Sequence, residues 1–242
     1  MKRQIIYLLT VSFLLSGSFL TLTYGQQENP PWKYLFDGKN LNSFDITGDR
    51  GKVWVENGEI ICHMVCNTTQ HTFVKTRKTY DNFILEAECK DEGDFHTGIL
   101  FRCIDAPDTA TVSIYGYQVK IDPTPRKWTG GVFDDFGKTW KWMYDLSGDA
   151  KAREAFKMNE WNLFRIEAIG PSIKVWVNGI PTVNMINTKY TKGKIALKIH
   201  SMGNLPEKEK ILVHYRNIKI ITKNPEKYAN VSGAILKKVE KP

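Results

Sequence analysis

Gly193-Lys-Ile-Ala-Leu-Lys-Ile-His-Ser201 alternates cleanly, with Ile195, Leu197 and Ile199 on one face of a strand and Lys194, Ala196, Lys198 and His200 on the other. Helical periodicity would scatter the same apolar residues around an axis. Phe83 to Lys90 repeats the design, with Phe83, Leu85, Ala87 and Cys89 on its apolar side. So does Gly98 to Cys103, which predicts Ile99, Phe101 and Cys103 inward and Leu100 and Arg102 opposite. In Tyr115 to Asp122 the residues Tyr115, Tyr117, Val119 and Ile121 share one face, and Gly116, Gln118, Lys120 and Asp122 the other.

Shorter strands are expected at Leu35–Phe36, Val53–Glu56, Glu59–Cys62, Phe73–Thr76, Leu163–Ile169 and Ile173–Val177, with a long one at Ile211–Ile221. Asn57-Gly58 and Asn178-Gly179 are hairpin turns by composition. Ser147 or Asp149 caps the one helix expected, Ala150 to Phe156. Many short strands, turn residues between them and a single short helix predict an all-β, two-sheet antiparallel β-sandwich of the jelly-roll kind. No fixed internal period points to a propeller.

From Arg126 to Leu146 the alternation stops and aromatic residues crowd together, among them Trp128, Phe133, Phe136, Trp140, Trp142 and Tyr144. Two readings stand for this segment. It folds back as a lid or wall over the polar face, or the rings bury themselves against the sandwich edge.

The chain ends explain part of the composition. Lys2 and Arg3 precede an apolar run from Ile5 to Leu22, and Gly25 is followed by Gln26-Gln27-Glu28. This is the pattern of a secretory signal peptide over residues 1–25, with an uncleaved anchor as the rival reading. No cysteine stands at the cleavage point, so a lipid anchor is not expected. Residues 26–31 then read as a linker, 32–222 as the domain and 223–242 as a loose, lysine-rich tail. The expected location is periplasmic or secreted, with no membrane association after cleavage.

Loss of Lys2 and Arg3 lowers the formal charge from +8 to +6, and acids and bases intermingle along the rest. That is a solvated surface rather than a nucleic-acid footprint. Cys62, Cys66, Cys89 and Cys103 are expected as buried free thiols, with a Cys62–Cys66 bridge as the alternative that export permits. No second Cys/His pair follows at ligand spacing, so zinc is not expected. No cofactor is called for. A divalent ion held by Asp122, Asp134, Asp135 and His200 is the one metal arrangement these residues allow, and no spacing demands it.

Leu35-Phe-Asp-Gly-Lys-Asn-Leu41, Trp54-Val-Glu-Asn-Gly-Glu-Ile60, Thr97-Gly-Ile-Leu-Phe-Arg102 and Gly116-Tyr-Gln-Val-Lys-Ile-Asp122 together resemble the 3-keto-disaccharide (3-keto-glycoside) hydrolase family. Glu160-Trp-Asn162, Val177-Asn-Gly179, Gly193 to His200 and Tyr215-Arg-Asn-Ile218 continue the likeness in order. The resemblance implies a concanavalin A-like jelly roll, an oxidised glucoside or disaccharide as partner, and cleavage through abstraction of the C2 proton beside a 3-keto group. It departs at the polar face. Where the family reads N-S-G this chain has His96-Thr97-Gly98. G-Y-E-V-Q-I becomes a strand with Gln118 and Lys120, and L-Q-x-H-G becomes one with Lys198 and Ser201.

On this reading His200 is the candidate base, with Lys198 and Lys120 holding the enolate and Asp122 orienting His200 or acting as a second acid or base. Arg102, Gln118, His96, Asp134, Asp135 and the rings of Trp128, Trp140 and Trp142 are the candidate substrate contacts. Ordinary glycoside hydrolysis would want two carboxylates, and Asp122 with Asp134 or Asp135 is the pair to test. His63, His71 and His214 have no partner pattern and are expected to be structural. A second class of function stays open: the lost carboxylate at Gln118 suits a non-catalytic, lectin-like carbohydrate-binding module.

Overall fold

The computed structural model describes residues 29–48, 51–68, 70–94, 96–106, 114–135, 141–201, 203–231 and 233–238. The expected signal peptide and Trp140 lie outside them. The chain runs through β1 (Lys33–Tyr34), β2 (Phe44–Thr47), β3 (Lys52–Glu56), β4 (Glu59–His63), β5 (Thr72–Thr76) and β6 (Phe83–Asp91). Next come β7 (Thr97–Asp105), β8 (Ile114–Ile121), β9 (Val132–Asp135), β10 (Lys141–Tyr144) and the helix α1 (Ala150–Arg153). Strands β11 (Asn162–Ile169), β12 (Ser172–Val177), β13 (Ile180–Ile186), β14 (Lys194–Ile199), β15 (Leu212–Ile221) and β16 (Lys237–Lys238) complete it.

Two sheets form a sandwich. One has the order β16-β13-β12-β11-β6-β15-β4-β3, with β1 also on β15; the other has the order β10-β9-β8-β7-β14-β5-β2. Every pairing is antiparallel except β13 with β16. The inner faces meet in one core, to which β6 gives Phe83, Leu85, Ala87 and Cys89, β7 Ile99 and Phe101, β8 Tyr117, Val119 and Ile121, and β14 Ile195, Leu197 and Ile199. Each fully buried side chain of this size contributes about 1.5–3 kcal/mol, so the alternation alone is enough to fix which face turns inward.

The hairpin turns form as their composition predicts: Asn57 and Gly58 have φ of 51° and 79°, and Asn178 and Gly179 of 50° and 77°. Asp149 is the helix cap, accepting from the Ala152 amide at 2.9 Å, but α1 is only four residues long.

Three expectations are corrected. The Arg126–Leu146 segment is not an irregular lid, because Val132–Asp135 and Lys141–Tyr144 are strands that extend the seven-stranded sheet at its edge. Its alternation was hidden by the brevity of the two strands. The tail is docked rather than loose over its described part. Arg165 donates to Tyr228 O at 2.7 Å, Asn184 to Ala234 O at 3.0 Å and Tyr144 to Ile235 O at 2.9 Å, and β16 adds a strand beside β13. All four cysteines are free, but Cys103 does not face the core.

That last change traces to a β-bulge. The register between β7 and β8 shifts between Phe101 and Ile104, and Arg102 takes a φ of 52°. The shift reverses the alternation beyond it. Cys103 joins Phe73, Leu100, Ile114 and Ala196 in a small apolar cluster on the outer face of the seven-stranded sheet. Gly193 makes the bulge sterically feasible, since a Cβ there would stand 2.3 Å from Arg102 C and Cys103 O.

Candidate functional site

Register assembles the site on the outer face of the seven-stranded sheet. Lys120, Gly98, Lys198 and Phe73 oppose one another across β8, β7, β14 and β5. The next row carries Trp142, Phe133, Gln118, Leu100, Ala196 and Lys75 across β10, β9, β8, β7, β14 and β5. Residues directly opposite share a face, so parity alone brings Gln118, Lys120 and Lys198 together as the alternation predicts.

Lys198 is completely buried, and its Nζ reaches Asp135 Oδ2 at 2.7 Å. Burial lowers its pKa and the Asp135 carboxylate opposes that fall. Lys120 is 5% exposed, lies 5.3 Å over the Phe133 ring and forms no side-chain hydrogen bond with any described residue. Burial first, then the Lys198 charge, bring its pKa down to about 8 against the pull of Asp135 and Asp122. Gln118 donates from Nε2 to Thr97 O at 3.0 Å, while its buried Oε1 has no partner among the described residues.

Just beyond the Lys120–Lys198 row lies a histidine group. The His200 Nδ1–H donates to Ser201 O at 2.7 Å, which makes Nε2 the basic nitrogen of that tautomer. The Ser201 amide in turn donates to His71 Nδ1 at 2.8 Å, and the two rings lie 4.3 Å apart. His96 stands 6.2 Å from His200. Burial, followed by the Lys198 charge, pushes His200 down to about 3, and the same two causes drive His71 lower still. Both imidazoles are therefore neutral at pH 7.

Asp122 is buried at the same end. Its Oδ1 accepts from Thr124 at 2.7 Å and lies 3.2 Å from His96 Nδ1, close but not aligned as a hydrogen bond, and Oδ2 accepts from Arg126 Nε. Burial alone would raise this carboxyl. The contacts from His96, Thr124 and Arg126 outweigh it and hold the group well below the usual carboxylate range. Asp122 thus lies against His96 rather than His200, and as an anion held by Arg126 and Thr124 it is a poor acid or base.

Aromatic rings wall the site. Trp128 and Trp142 meet edge to face at 5.1 Å, Phe133 packs on Trp142 at 5.4 Å, and the Arg126 guanidinium lies 5.1 and 5.3 Å from the two indoles. Both indoles are half-buried, so each keeps some surface for a ligand.

Two predicted site residues lie elsewhere. The bulge turns Arg102 away from this face, and its buried guanidinium donates to Asp81 O at 3.0 and 2.8 Å, Gly170 O at 2.9 Å and Tyr190 O at 3.3 Å. It pins three loops and does not reach the site. Asp134 opposes Tyr117 on the core side, where it accepts from Tyr190 OH at 2.9 Å and pairs with Lys189. The set Asp122, Asp134, Asp135 and His200 therefore does not converge, and no cluster of metal-ligating side chains forms among the described residues. Nor is there an acid pair, since Asp134 faces away and Asp122 and Asp135 are each ion-paired.

Sequence reasoning missed His71, Arg126 and Phe133. Register would have found His71: Ile199 opposes Thr72, so the next pair outward is His200 with His71. Arg126 stands four residues after Asp122, a spacing read only as part of an irregular segment.

The fold is a two-sheet antiparallel sandwich whose outer face sets polar side chains beside two tryptophans. The chain is a member of the 3-keto-alpha-glucoside-1,2-lyase-like domain family, whose model matches residues 31–221. Among solved structures it is similar to a putative glycosyl hydrolase from Parabacteroides distasonis, with 18% identity, a TM-score of 0.58 and coverage of 80% of this chain and 94% of that one. A carbohydrate-binding module from Bacillus subtilis matches at 12% identity and TM-score 0.53 over 75% of this chain and 97% of that one. A Bacillus licheniformis beta-glucanase matches at 14% and 0.52 over 82% and 100%. These likenesses carry the fold. No curated protein matches the chain.

Proposed function

We propose that this is an exported enzyme that cleaves 3-keto-glycosides, removing the C2 proton beside the ketone and expelling the C1 substituent by elimination or net hydrolysis. The observation that carries the reading is the convergence of neutral His200 and His71 with Lys120, whose side chain has no hydrogen-bond partner among the described residues, beside the Trp128–Trp142 wall. C2–H abstraction needs a neutral base, and charge growing on the C3 oxygen needs a cation within reach. The wall suits the apolar face of a pyranose ring.

Incubation of the purified protein with a panel of 3-keto-glucosides tests this. Turnover is expected, and His200→Ala should lower kcat by about a hundredfold or more. No cleavage of any member of the panel, with or without added divalent metal, would refute it.

One observation favours a second reading. Asp122 and Asp135, the carboxylates nearest the lysine and histidine group among the described residues, are each held in an ion pair, as befits a non-catalytic sugar-binding module. Calorimetric binding of glycans that survives His200→Ala, without chemical change, would support that alternative.

A further inference from the structure

We propose that Lys120 acts as a covalent catalyst, its ε-amine condensing with the 3-keto group of the sugar to form an iminium ion that acidifies C2–H. The inference rests on the proposed function, because it needs a ketone as substrate.

The geometry singles out this lysine. On the same face Lys198 is held by Asp135 at 2.7 Å, Arg126 by Asp122, and Lys75 and Lys194 by Asp105 at 2.7 and 2.8 Å. Lys120 has no such carboxylate among the described residues, and it keeps the sliver of exposure that a ligand needs, whereas Lys198 has none. It stands one strand away from Gly98 and two from Lys198, about 10 Å across the sheet. A desolvated ammonium with no carboxylate in salt-bridge contact among the described residues, on the same face as a second cation, is the setting that enlarges the neutral, nucleophilic fraction of a lysine. The lowering of its pKa to about 8 agrees with that geometry.

The chemistry closes with water as the sole co-reactant. The amine nitrogen attacks C3, and the carbinolamine loses water to give the C3 iminium. The C2–H bond breaks, its proton passing to a neutral imidazole and its electron pair forming the C2–C3 double bond of an enamine. That pair then expels the C1 oxygen substituent, which leaves with a proton, and C1=C2 remains conjugated to the iminium. Water adds its oxygen to C1 and a proton returns to C2. A second water hydrolyses the iminium and releases the 3-keto sugar and the free amine. The iminium also answers a difficulty of the site: an imidazole held down to about 3 is a weak base, and a more acidic C2–H suits it better than that of a bare ketone.

The test is reductive trapping. The full chain is incubated with a methyl 3-keto-glucoside and sodium cyanoborohydride, which reduces iminium ions, and analysed by intact mass and peptide mapping. One sugar per chain, on the peptide carrying Lys120, is the expected result. Lys120→Arg and Lys120→Gln should lose the adduct, with kcat falling by about a hundredfold or more. Trapping is read on the unaltered chain, so a variant that misfolds does not decide the matter. No adduct on Lys120, or adducts spread evenly over surface lysines, would overturn the inference. Wild-type cleavage rates in Lys120→Arg would overturn it while leaving the proposed function standing. Failure of the unaltered chain to cleave any 3-keto-glucoside would overturn both.

Discussion

Lys198 and Asp135 form the most deeply buried ion pair among the described residues. A buried pair that loses one member leaves an uncompensated charge, so Lys198→Met should cost about 3–5 kcal/mol, and Lys198→Met with Asp135→Leu should restore most of it. Urea denaturation of the two variants decides this; equal stabilities would mean that the pair is not desolvated. His71 and His200 carry a second consequence. Unfolded, each titrates near 6.5, but in the fold they stay neutral down to about 3 for His200 and lower for His71. Below pH 6.5 the unfolded chain therefore binds more protons, and these groups withdraw stability as the pH falls toward 3. Ring resonances of both histidines should not move between pH 8 and 5 in an NMR titration, and a midpoint near 6.5 would contradict their burial. Asp91 works in the opposite sense. It faces the core, its Oδ2 has no partner among the described residues, and burial raises it to about 8. Its stabilising protonation is complete below about pH 4 and lost as the pH rises through 8, so Asp91→Asn should flatten thermal stability over that window. An unchanged pH profile in the variant would count against a protonated Asp91.

At the level of elements, strand parity was legible wherever alternation ran unbroken. Strands β8 and β14 sort Gln118, Lys120 and Lys198 from their apolar neighbours as the sequence predicts. Parity failed at Arg102 because a bulge inserts one residue and inverts every position after it, and nothing in Phe-Arg-Cys-Ile announces a positive φ. It failed to separate Asp134 from Asp135 because a four-residue strand shows too little alternation to read. His71 was invisible for a different reason: its neighbours come from pairing between strands far apart in the chain, which local pattern does not encode. The bulge also reassigns Arg102 from ligand contact to scaffold. Arg102→Ala should leave three loop carbonyls without their donors and cost about 3 kcal/mol or more, with ligand affinity unchanged in the folded fraction. Lost affinity at full stability would put Arg102 back in the site. The wall formed by β9 and β10 predicts a contrary pattern for Trp142→Ala, which should weaken sugar binding more than it lowers the unfolding midpoint. The reverse ranking would make the rings packing alone.

Over the described residues the molecule is a two-sheet frame whose inner faces form the core and whose seven-stranded sheet carries the candidate site on its outer face. Gly98 and Gly116 keep that face low between the polar side chains, since a Cβ at either would press on Gln118 or Cys103. A polar face rich in lysine and histidine thus stands on the sandwich of a chain that belongs to this family. The candidate site is proposed to break the C2–H bond of a bound 3-keto sugar. Proton NMR of a 3-keto-glucoside in D2O follows that bond directly. Enzyme-dependent loss of the C2–H signal together with release of the C1 substituent is expected, both suppressed in His200→Ala. A bound sugar whose C2–H persists and whose glycosidic bond stays intact would contradict it.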